Sequence, residues 1–334
     1  MNLRFCLIVF AVWLLPVATA NSNEPAAGTP LADRADVRAF MARMSETHGF
    51  DGDALRTLFQ QASMQPEILD AIQRPWEAKP WHAYRPIFVT ESRIADGVQF
   101  WRSHASLLEA AQAQFGVPPE IIVAIIGVET RYGQFTGRHR VVEALATLGF
   151  GYPPRGDFFL RELEQFLLLS REEQLDATGI RGSYAGAIGW PQFIPSSYRA
   201  YAVDFDQDGR RDLLSSPADI IGSVANYFHR HGWTLGSPIA TPALVNGNGR
   251  ALGNRNRDLP YTLAKLRQQG VSFESQLPDS APANLIALEQ PSELEYWVGF
   301  PNFYVITRYN HSVHYAMAVY QLSQRIREAY FAEA

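Results

Sequence analysis

Apolar residues recur at helical spacing through most of the chain from about 33 to 235. Intervals of three and four residues place apolar side chains on one face of a helix, so the pattern predicts a mostly α region that begins near Asp33. Polar, Pro- and Gly-containing residues 21–32 precede it and predict a flexible lead-in. The recurring positions include Val37, Phe40, Met41, Met44, Ile94, Val98, Phe100, Trp101, Leu107 and Leu108.

The pattern changes after residue 235. Residues 236–258 are rich in Gly, Asn and Pro and predict a long loop, and a short helix is expected around 259–269. A closing helix is predicted over about 312–331, and three short β-rich segments precede it: Leu285 to Leu288, Tyr296 to Val298 and Phe303 to Ile306. The fold class is therefore α+β and predominantly α, with a helical core at about 80–235 and a small β-containing region at about 270–310.

The N-terminal residues indicate export. Arg4 is followed by an apolar run from Phe5 to Val17 and then by Ala18-Thr19-Ala20, a small-x-small cleavage pattern that ends a signal peptide at residue 20. The run of about 13 residues falls short of the roughly 20 that a membrane-spanning helix needs. We therefore expect a periplasmic protein without a stable membrane anchor.

Composition narrows the possible partners and cofactors. The sole cysteine, Cys6, lies in the predicted signal peptide, so the mature chain would have neither disulfides nor thiolate metal ligands. The net charge of −5 is spread without long runs of one sign, which argues against a nucleic-acid partner.

Residues 118–133, PPEIIVAIIGVETRYG, contain the main candidate for catalysis. A helix that starts at Pro118-Pro119 has an almost entirely apolar interior before it meets Glu129. Poor solvation and the nearby negative end of the helix dipole would both raise the pKa of this carboxyl, as a general acid requires. The alternative is that Glu129 is a helix-end residue bonded to a nearby hydroxyl or arginine.

A second segment, residues 181–198, has the composition of a sugar-binding wall. Its glycines allow close backbone approach, its aromatic rings can cover a pyranose, and Ser183 and Gln192 can bond to hydroxyl or acetamido groups. The alternative is a core-packed loop with incidental polar residues. The segment reads RGSYAGAIGWPQFIPSSY.

Residues 204–215, DFDQDGRRDLLS, match the first half of a calcium-binding loop. Asp204, Asp206 and Asp208 alternate, and a glycine follows at the turn position. Ser215 stands where a bidentate Glu is expected, and the next carboxylate is Asp219. An acidic turn without an ion is the alternative.

ETRYG, followed some fifty residues later by RGSYAGAIGWPQFIPSSY, resembles the lytic murein transglycosylase B family. Further ordered segments match: KPWHAYR, YPPRGDFF, the acidic loop, IGSVANYFHRHGW and NFYVITRYNHSVHYAMAV, so that the resemblance covers nearly all of residues 33–330. The resemblance implies a lysozyme-like helical core within one catalytic domain, 33–334, and peptidoglycan glycan strands as substrate. Wall-synthesis enzymes are further candidate partners.

The resemblance also implies roles for particular residues. Glu129 would protonate the glycosidic oxygen between N-acetylmuramic acid and N-acetylglucosamine and then act as base toward the muramoyl C6 hydroxyl, which closes a 1,6-anhydro ring. Pro154-Arg155 stands where relatives can carry two basic residues, which puts contacts on that side in doubt. The implied substrate-binding residues are Ser183, Gln192, Tyr227, Tyr309 and Asn310, with Tyr84, Arg155 and Tyr315 as additions. The implied ligands of a structural calcium are Asp204, Asp206, Asp208, the Arg210 carbonyl and Asp219, and no cofactor is expected for catalysis.

Ordinary glycoside hydrolases use two carboxyl groups that flank the scissile bond. Glu143, Asp157 and Glu162 have the sequence setting of ordinary helix residues, so a mechanism with one carboxylate and an internal nucleophile fits the sequence. Two rivals stay open: a muramidase that adds water, and a non-catalytic protein that binds or scaffolds peptidoglycan.

Overall fold

The structure, a computed structural model, describes residues 30–73, 79–253 and 257–332. The predicted signal peptide, residues 1–20, and residues 21–29 of the predicted lead-in lie outside the described residues. The predicted lead-in is wrong at its end, because a 3-10 helix at Leu31–Asp33 already buries Leu31 and Ala32 in the core. Burial of this turn is what fixes the start of the fold.

Helices make up most of the described chain. The 3-10 helices are Leu31–Asp33, Pro153–Arg155 and Gly247–Leu252. The α-helices are α1 (Ala35–His48), α2 (Gly52–Gln60), α3 (Pro66–Ile72), α4 (Trp81–Phe88), α5 (Glu91–Ser103), α6 (Ala105–Phe115), α7 (Pro119–Thr130), α8 (Val141–Gly151), α9 (Gly156–Glu172), α10 (Pro195–Tyr201), α11 (Pro217–Arg230), α12 (Leu263–Gln268), α13 (Pro301–Tyr309) and α14 (Val313–Ala332).

Helix α7 is the central helix of the core. Pro119 stands at its first turn, where a missing N–H costs nothing, and the residues from Ile121 to Val128 are all buried. Helix α14 packs along it, and α5 packs beside both. A helix that is apolar on every side must be surrounded, so this arrangement explains why the sequence shows no amphipathic stripe here.

The C-terminal end of α7 is fixed by Tyr132. This ring packs against Gly97 of α5 and Gly127 of α7, where an added Cβ would approach the Tyr132 hydroxyl to 2.4 Å and 2.5 Å. The hydroxyl donates to the carbonyl of Arg93 at 2.9 Å. Arg131 ends the helix in the left-handed region at φ 49°. The two glycines thus let one tyrosine hold the end of α7 against α5.

Two antiparallel sheets accompany the helices. Strands β1 (His139–Arg140) and β2 (Arg181–Gly182) form a short pair. The larger sheet has the order β4-β6-β7-β3-β5. Its strands are β3 (Ala240–Val245), β4 (Tyr261–Thr262), β5 (Val271–Ser272), β6 (Pro282–Glu289) and β7 (Leu294–Gly299).

Alternation along the central strands gives this sheet two buried faces. Leu285 and Val298 point into a small separate core with α12, whereas Ile286, Leu288 and Trp297 face the main core. The β-containing region therefore packs onto the helical core through one sheet face. Helices α4 and α14 lie on that side.

Two predictions for this region are wrong. Residues 303–306, predicted as a strand, lie in α13, which Pro301 starts and whose buried face includes Phe303 and Ile306. Residues 236–258, predicted as a loop, contain β3 and a 3-10 helix. In contrast, the predicted closing helix is confirmed as α14, and the predicted strands at 285–288 and 296–298 lie within β6 and β7.

No single helix in ranges 30–73, 79–253 and 257–332 is both long and apolar enough to cross a membrane, although α6 and α7 taken together pass that test across a bend of 112°.

Candidate active site

Glu129 is the penultimate residue of α7, and its side chain is half-buried. The hydroxyl of Tyr315, on α14, donates to Glu129 Oε1 at 2.5 Å. Burial, and then the negative charge of Glu129, raise the pKa of Tyr315 well above its usual value, so this hydroxyl stays protonated and remains a donor. The alternative interpretation of Glu129, a helix-end residue, included a bond to a nearby hydroxyl. That bond is present, and its donor is a fully enclosed tyrosine.

Contacts near this carboxyl join α7, α13 and α14 to the 181–198 segment. The Tyr315 ring stacks on Tyr309 with centroids 6.4 Å apart and an interplanar angle of 10°. Tyr309 donates to the carbonyl of Pro191 at 2.6 Å. The neighbouring carbonyl, that of Trp190, accepts from the buried hydroxyl of Thr130 at 2.9 Å, and Thr130 follows Glu129 directly. The 181–198 segment is thereby tied to α7 through Thr130 and to α13 through Tyr309.

The Thr130 hydroxyl both donates and accepts a hydrogen bond. Its hydroxyl donates to Trp190 and accepts from the backbone N–H of Gly133 at 3.1 Å. Gly133 lies at φ 85°, and a Cβ there would approach the Trp190 ring to 2.3 Å. Glycine at this position is what permits the loop after α7 to pack on the Trp190 indole.

A cavity of about 530 Å³ opens between α9, α10, α11, α13 and the 181–198 segment. No acidic side chain lines it in the part of the chain that the structure describes. Arg155, Gln192, Tyr227, Tyr309 and Asn310, all predicted as substrate-binding residues, are among its lining residues. We call this cavity the groove.

The remaining predicted residues do not line the groove. Tyr315 stacks on the lining residue Tyr309 and donates to Glu129, so both lie next to the groove. Tyr84 is only 1% exposed and packs between Trp81, Phe88 and His314. The hydroxyl of Tyr84 nevertheless lies close enough to contribute to the raised pKa of Tyr315.

Ser183 occupies a turn. Its Oγ accepts from the backbone N–H groups of Ala185 at 3.2 Å and Ala187 at 3.0 Å, and it does not line the groove. Within the described ranges no acceptor takes the proton of this hydroxyl. Ser183 therefore holds the shape of the glycine-rich segment and retains one donor.

Gln192 lies at φ 50°, in the left-handed region that non-glycine residues seldom adopt. Its Nε2 donates to the carbonyls of Gly189 at 2.8 Å and Thr136 at 3.1 Å. Both amide protons are thus used to hold neighbouring backbone, and no described residue donates to Oε1. Gln192 presents an acceptor in a fixed position on the groove wall.

Tyr227 forms the aromatic part of the wall. Its hydroxyl donates to the carbonyl of Arg308 at 2.6 Å, and its ring stacks on His231 with centroids 4.1 Å apart. Burial lowers the pKa of His231, so this imidazole is neutral at neutral pH. Arg308 and Tyr201 also line the groove and were missed by sequence reasoning, although Arg308 directly precedes the predicted Tyr309-Asn310 pair.

Arg155 is exposed at the rim, with its guanidinium carbon 4.5 Å from the centroid of the Phe158 ring. Stacking on this ring and on Phe159 restricts the guanidinium without pairing its charge. An anionic group of a ligand could reach it there.

The three acidic residues considered as second catalytic groups have other surroundings. Glu143 accepts from Ser63 N at 3.0 Å and Ser63 Oγ at 3.1 Å, and Glu162 accepts from Ser196 N at 2.9 Å. Asp157 is exposed at the start of α9. None of the three lines the groove, in agreement with their interpretation as helix residues.

The acidic loop brings three carboxylates together. Oxygens of Asp204, Asp206 and Asp219 lie within 4.8 Å of one another. Burial raises the pKa of the fully enclosed Asp219, although backbone N–H groups of Phe205 and Asp212 donate to it and lower that pKa in part. Asp208, a predicted ligand, is not part of this group.

The loop is organised by its own carboxylates. Asp204 accepts from Asp208 N at 3.0 Å and Gly209 N at 2.9 Å. Asp206 accepts from Ser216 Oγ at 3.0 Å, which joins the loop to the start of α11. Gln207 and Gly209 take positive φ values of 63° and 93°. The loop is thus tied to the helix that carries Tyr227.

A half-buried carboxyl at the end of a central helix, beside a groove of aromatic and amide side chains, defines a glycan-cleaving enzyme built on a lysozyme-like helical core. The family described as Transglycosylase SLT domain matches residues 32–324. The chain belongs to this family and is a peptidoglycan lytic transglycosylase.

Individual relatives agree. The membrane-bound lytic murein transglycosylase B of Escherichia coli (strain K12) is 44% identical over 310 residues, which cover 90% of this chain and 84% of that protein. The soluble lytic transglycosylase SltB1 of Pseudomonas aeruginosa, in its catenated form, superposes with a TM-score of 0.86 at 50% identity, over 90% of this chain and 99% of that one. Escherichia coli Slt35 in complex with calcium superposes with a TM-score of 0.82 at 43% identity, over 91% and 95% of the two chains.

Proposed function

We propose that Glu129 is the single acid and base of a lytic reaction on peptidoglycan, at the side of the groove where Tyr309 stacks on Tyr315. The observation that carries the proposal is the hydrogen bond from the enclosed Tyr315 to Glu129 Oε1. One carboxyl oxygen is held by this donor, and the acid proton can reside on the other oxygen. A carboxyl fixed in this way can give its proton to a glycosidic oxygen without first reorienting.

The reaction proceeds in two proton transfers. Glu129 protonates the oxygen that links N-acetylmuramic acid to N-acetylglucosamine, and the glycosidic bond to the muramoyl C1 breaks. The resulting carboxylate then takes the proton of the muramoyl C6 hydroxyl, whose oxygen bonds to C1. Glu129 ends as the neutral acid, and the products are an N-acetylglucosamine end and a 1,6-anhydromuramoyl end.

The groove residues hold the glycan during these steps. Gln192 offers an acceptor to an acetamido or hydroxyl donor, Tyr227 and Tyr309 offer ring faces, and Asn310 extends the same wall. Ser183 fixes the shape of the segment, and Arg155 can bind an anionic group at the rim. Tyr315 donates to Glu129, and Tyr84 lies near Tyr315. Pseudomonas aeruginosa SltB3, 27% identical with a TM-score of 0.75, was solved in complex with NAG-anhNAM-pentapeptide, which supports a muramoyl product in this groove.

We also propose that the acidic loop holds a structural calcium. Oxygens bound to one calcium ion at 2.3–2.6 Å can be about 4.8 Å apart, a separation that the group of Asp204, Asp206 and Asp219 meets. Calcium would neutralise repulsion among these carboxylates, one of which is fully buried. Asp208, which lies outside this group of three, and the Arg210 carbonyl are further proposed ligands. Calcium in the Slt35 complex supports the choice of ion.

Location and partners follow from the substrate. We propose that the enzyme acts at the periplasmic cell wall, where its peptidoglycan substrate lies, and that residues 1–20 direct export and are removed. The described region would then act as one catalytic domain within 33–334. Contacts with wall-synthesis enzymes are a further proposal, without a surface assigned to them.

The Glu129→Gln variant tests the catalytic assignment. The amide keeps the shape of the side chain and can still accept from Tyr315, but it cannot donate the proton to the leaving oxygen. We expect release of soluble muropeptides from purified sacculi to fall at least about 100-fold. Glu143→Gln, at a buried glutamate outside the groove, is the matched control and keeps the activity of the folded fraction. Retention of a tenth of wild-type activity in Glu129→Gln would contradict the assignment.

A further inference from the structure

A second cavity of about 600 Å³ lies where the larger sheet meets α4 and α14. No described residue lines both this cavity and the groove. Gln324, which lines it, is nine residues beyond Tyr315 on α14, and nine helical steps of 100° turn the side chain to the opposite side of the helix. The cavity therefore lies on the side of α14 that faces away from Glu129.

An ordered aromatic ring forms one wall. Trp297 is half-buried, and its Nε1 donates to Glu295 Oε1 at 2.6 Å. The Tyr320 ring meets it edge-on, with centroids 6.1 Å apart and an angle of 84°, and the Tyr320 hydroxyl donates to the carbonyl of Ala240. These contacts fix the indole in place at the cavity wall, where it can pack against a ligand.

A partly buried cation stands beside this ring. Arg85 donates through Nε to Gln321 Oε1 at 2.5 Å, which holds the guanidinium toward α14. In the three described ranges no carboxylate lies within 4.0 Å of Arg85. Glu295, the carboxylate in the cavity lining, is occupied by Trp297 and by Gln290 Nε2. Within these ranges the terminal nitrogens of Arg85 are therefore not matched by a negative charge.

Two amides complete the arrangement. Gln321 uses its oxygen for Arg85, which leaves its Nε2 protons without a described partner, and the amide of Gln324 has none. A half-buried cation is stabilised by an anion, and a guanidinium binds a carboxylate with two parallel hydrogen bonds. An aromatic face beside amide donors suits the apolar face and the hydroxyl groups of a sugar.

We propose that this cavity is a second glycan-binding site, which takes a carboxylate-bearing amino sugar with Arg85 on the carboxylate and Trp297 on the pyranose ring. The proposal rests on the proposed function, because the substrate glycan carries muramoyl residues with such groups. The carboxylate can belong to the lactyl group of a peptide-free muramoyl residue or to a stem peptide attached to it. A strand bound here anchors the enzyme to the sacculus while the groove cleaves another segment.

The test measures binding without cleavage, in the full-length protein carrying Glu129→Gln. Co-sedimentation with purified sacculi gives the sacculus concentration that retains half of the protein. Loss of a charge-assisted pair costs about 1.5–3 kcal/mol, so Arg85→Met should raise that concentration about tenfold or more. Trp297→Leu should also raise the sacculus concentration that retains half of the protein. Arg56→Met, at an exposed arginine of α2, is the matched control and should leave binding within about twofold.

Two ligands distinguish the source of the carboxylate. Glycan strands stripped of peptide by an amidase expose lactyl carboxylates, whereas intact strands carry the carboxylates of stem peptides. Weaker binding of Arg85→Met to either ligand supports the site, and the ligand that shows the larger loss identifies the carboxylate. Arg85→Lys, which keeps the positive charge, should retain more binding than Arg85→Met at an unchanged melting temperature.

Equal binding by Arg85→Met, Trp297→Leu and Arg56→Met to both ligands would overturn the inference. Its failure is separable from failure of the proposed function, since cleavage is measured on protein with Glu129 intact. If the wild type cleaves and Arg85→Met does not weaken binding, only the second site is contradicted. If Arg85→Met weakens binding but the wild type does not cleave, only the catalytic assignment is contradicted.

Discussion

The Tyr315 hydroxyl and the Glu129 carboxylate are joined by a 2.5 Å hydrogen bond across 186 residues of sequence. The two residues lie on α14 and α7, helices that pack along each other in the centre of the core. The proposed catalytic carboxyl is thus positioned by the tertiary packing of the most buried part of the fold.

Removal of the Tyr315 hydroxyl should slow catalysis without weakening glycan binding. Tyr315→Phe keeps the buried ring and its stacking on Tyr309 but leaves Glu129 Oε1 without its donor. We expect kcat on soluble glycan strands to fall about tenfold, the equivalent of one ordinary hydrogen bond, with KM nearly constant. Tyr330→Phe, at a tyrosine on the same helix that stacks on Trp101 and lines neither cavity, is the control. A rise in KM with unchanged kcat would instead place Tyr315 in substrate binding.

Thr130 should act as a positioning residue for Glu129. Thr130→Val keeps the volume but removes the donor to Trp190 and the acceptor for Gly133, so the end of α7 loses its link to the groove segment. We expect kcat to fall about tenfold, because small displacements of a catalytic group are costly. Thr130→Ser restores both bonds and should recover activity to within about twofold. If both variants lose activity equally, the hydroxyl is not what positions Glu129.

Calcium should stabilise the fold without taking part in cleavage. A ligand that binds only the native chain at 100 times its Kd adds about 2.7 kcal/mol to the free energy of unfolding. Thermal melts with calcium and with chelator should therefore differ for the wild type and coincide for Asp204→Ala/Asp206→Ala. If the wild type melts at the same temperature with calcium and with chelator, the loop is an acidic turn that does not bind calcium.

The half-buried His231 should make the protein less stable in mild acid. Burial lowers its pKa in the folded chain, whereas the unfolded chain keeps a pKa of about 6.5. The unfolded state then binds the proton more readily, so stability is lost as pH falls through 6.5 toward the folded pKa. His231→Gln removes this loss, and its melting temperature relative to the wild type should rise between pH 8 and pH 5. His229→Gln, at an exposed histidine, serves as the control. An equal rise in its relative melting temperature would contradict the explanation by burial of His231.

Much of the site could be predicted because its segments are local in sequence. The run from Ile121 to Val128 indicates a buried helix that ends near Glu129, and alternating aspartates indicate an ion-binding loop. The contact between Glu129 and Tyr315 could not be derived from these patterns. It requires α14 to pack on α7, and only the family resemblance pointed to Tyr315.

The two errors in the C-terminal region have local causes. Val305 and Ile306 are β-branched and favour a strand by composition, but burial of one helical face and Pro301 at the first turn decide for α13. Pro242 argues against a strand, yet β3 accommodates it. The partner β5 pairs with β3 only at Leu244 and Val245, so Pro242 lies where that side of β3 has no neighbour.

The chemistry of the new muramoyl end tests the central claim most directly. Sacculi are digested by the wild type in oxygen-18 water, and the released muropeptides are analysed by mass spectrometry. If Glu129 takes the proton of the C6 hydroxyl and the C6 oxygen bonds to C1, the products are one water lighter than hydrolytic products and carry no label at the muramoyl end. Oxygen-18 at that end would show that water is the nucleophile and would contradict the lytic mechanism.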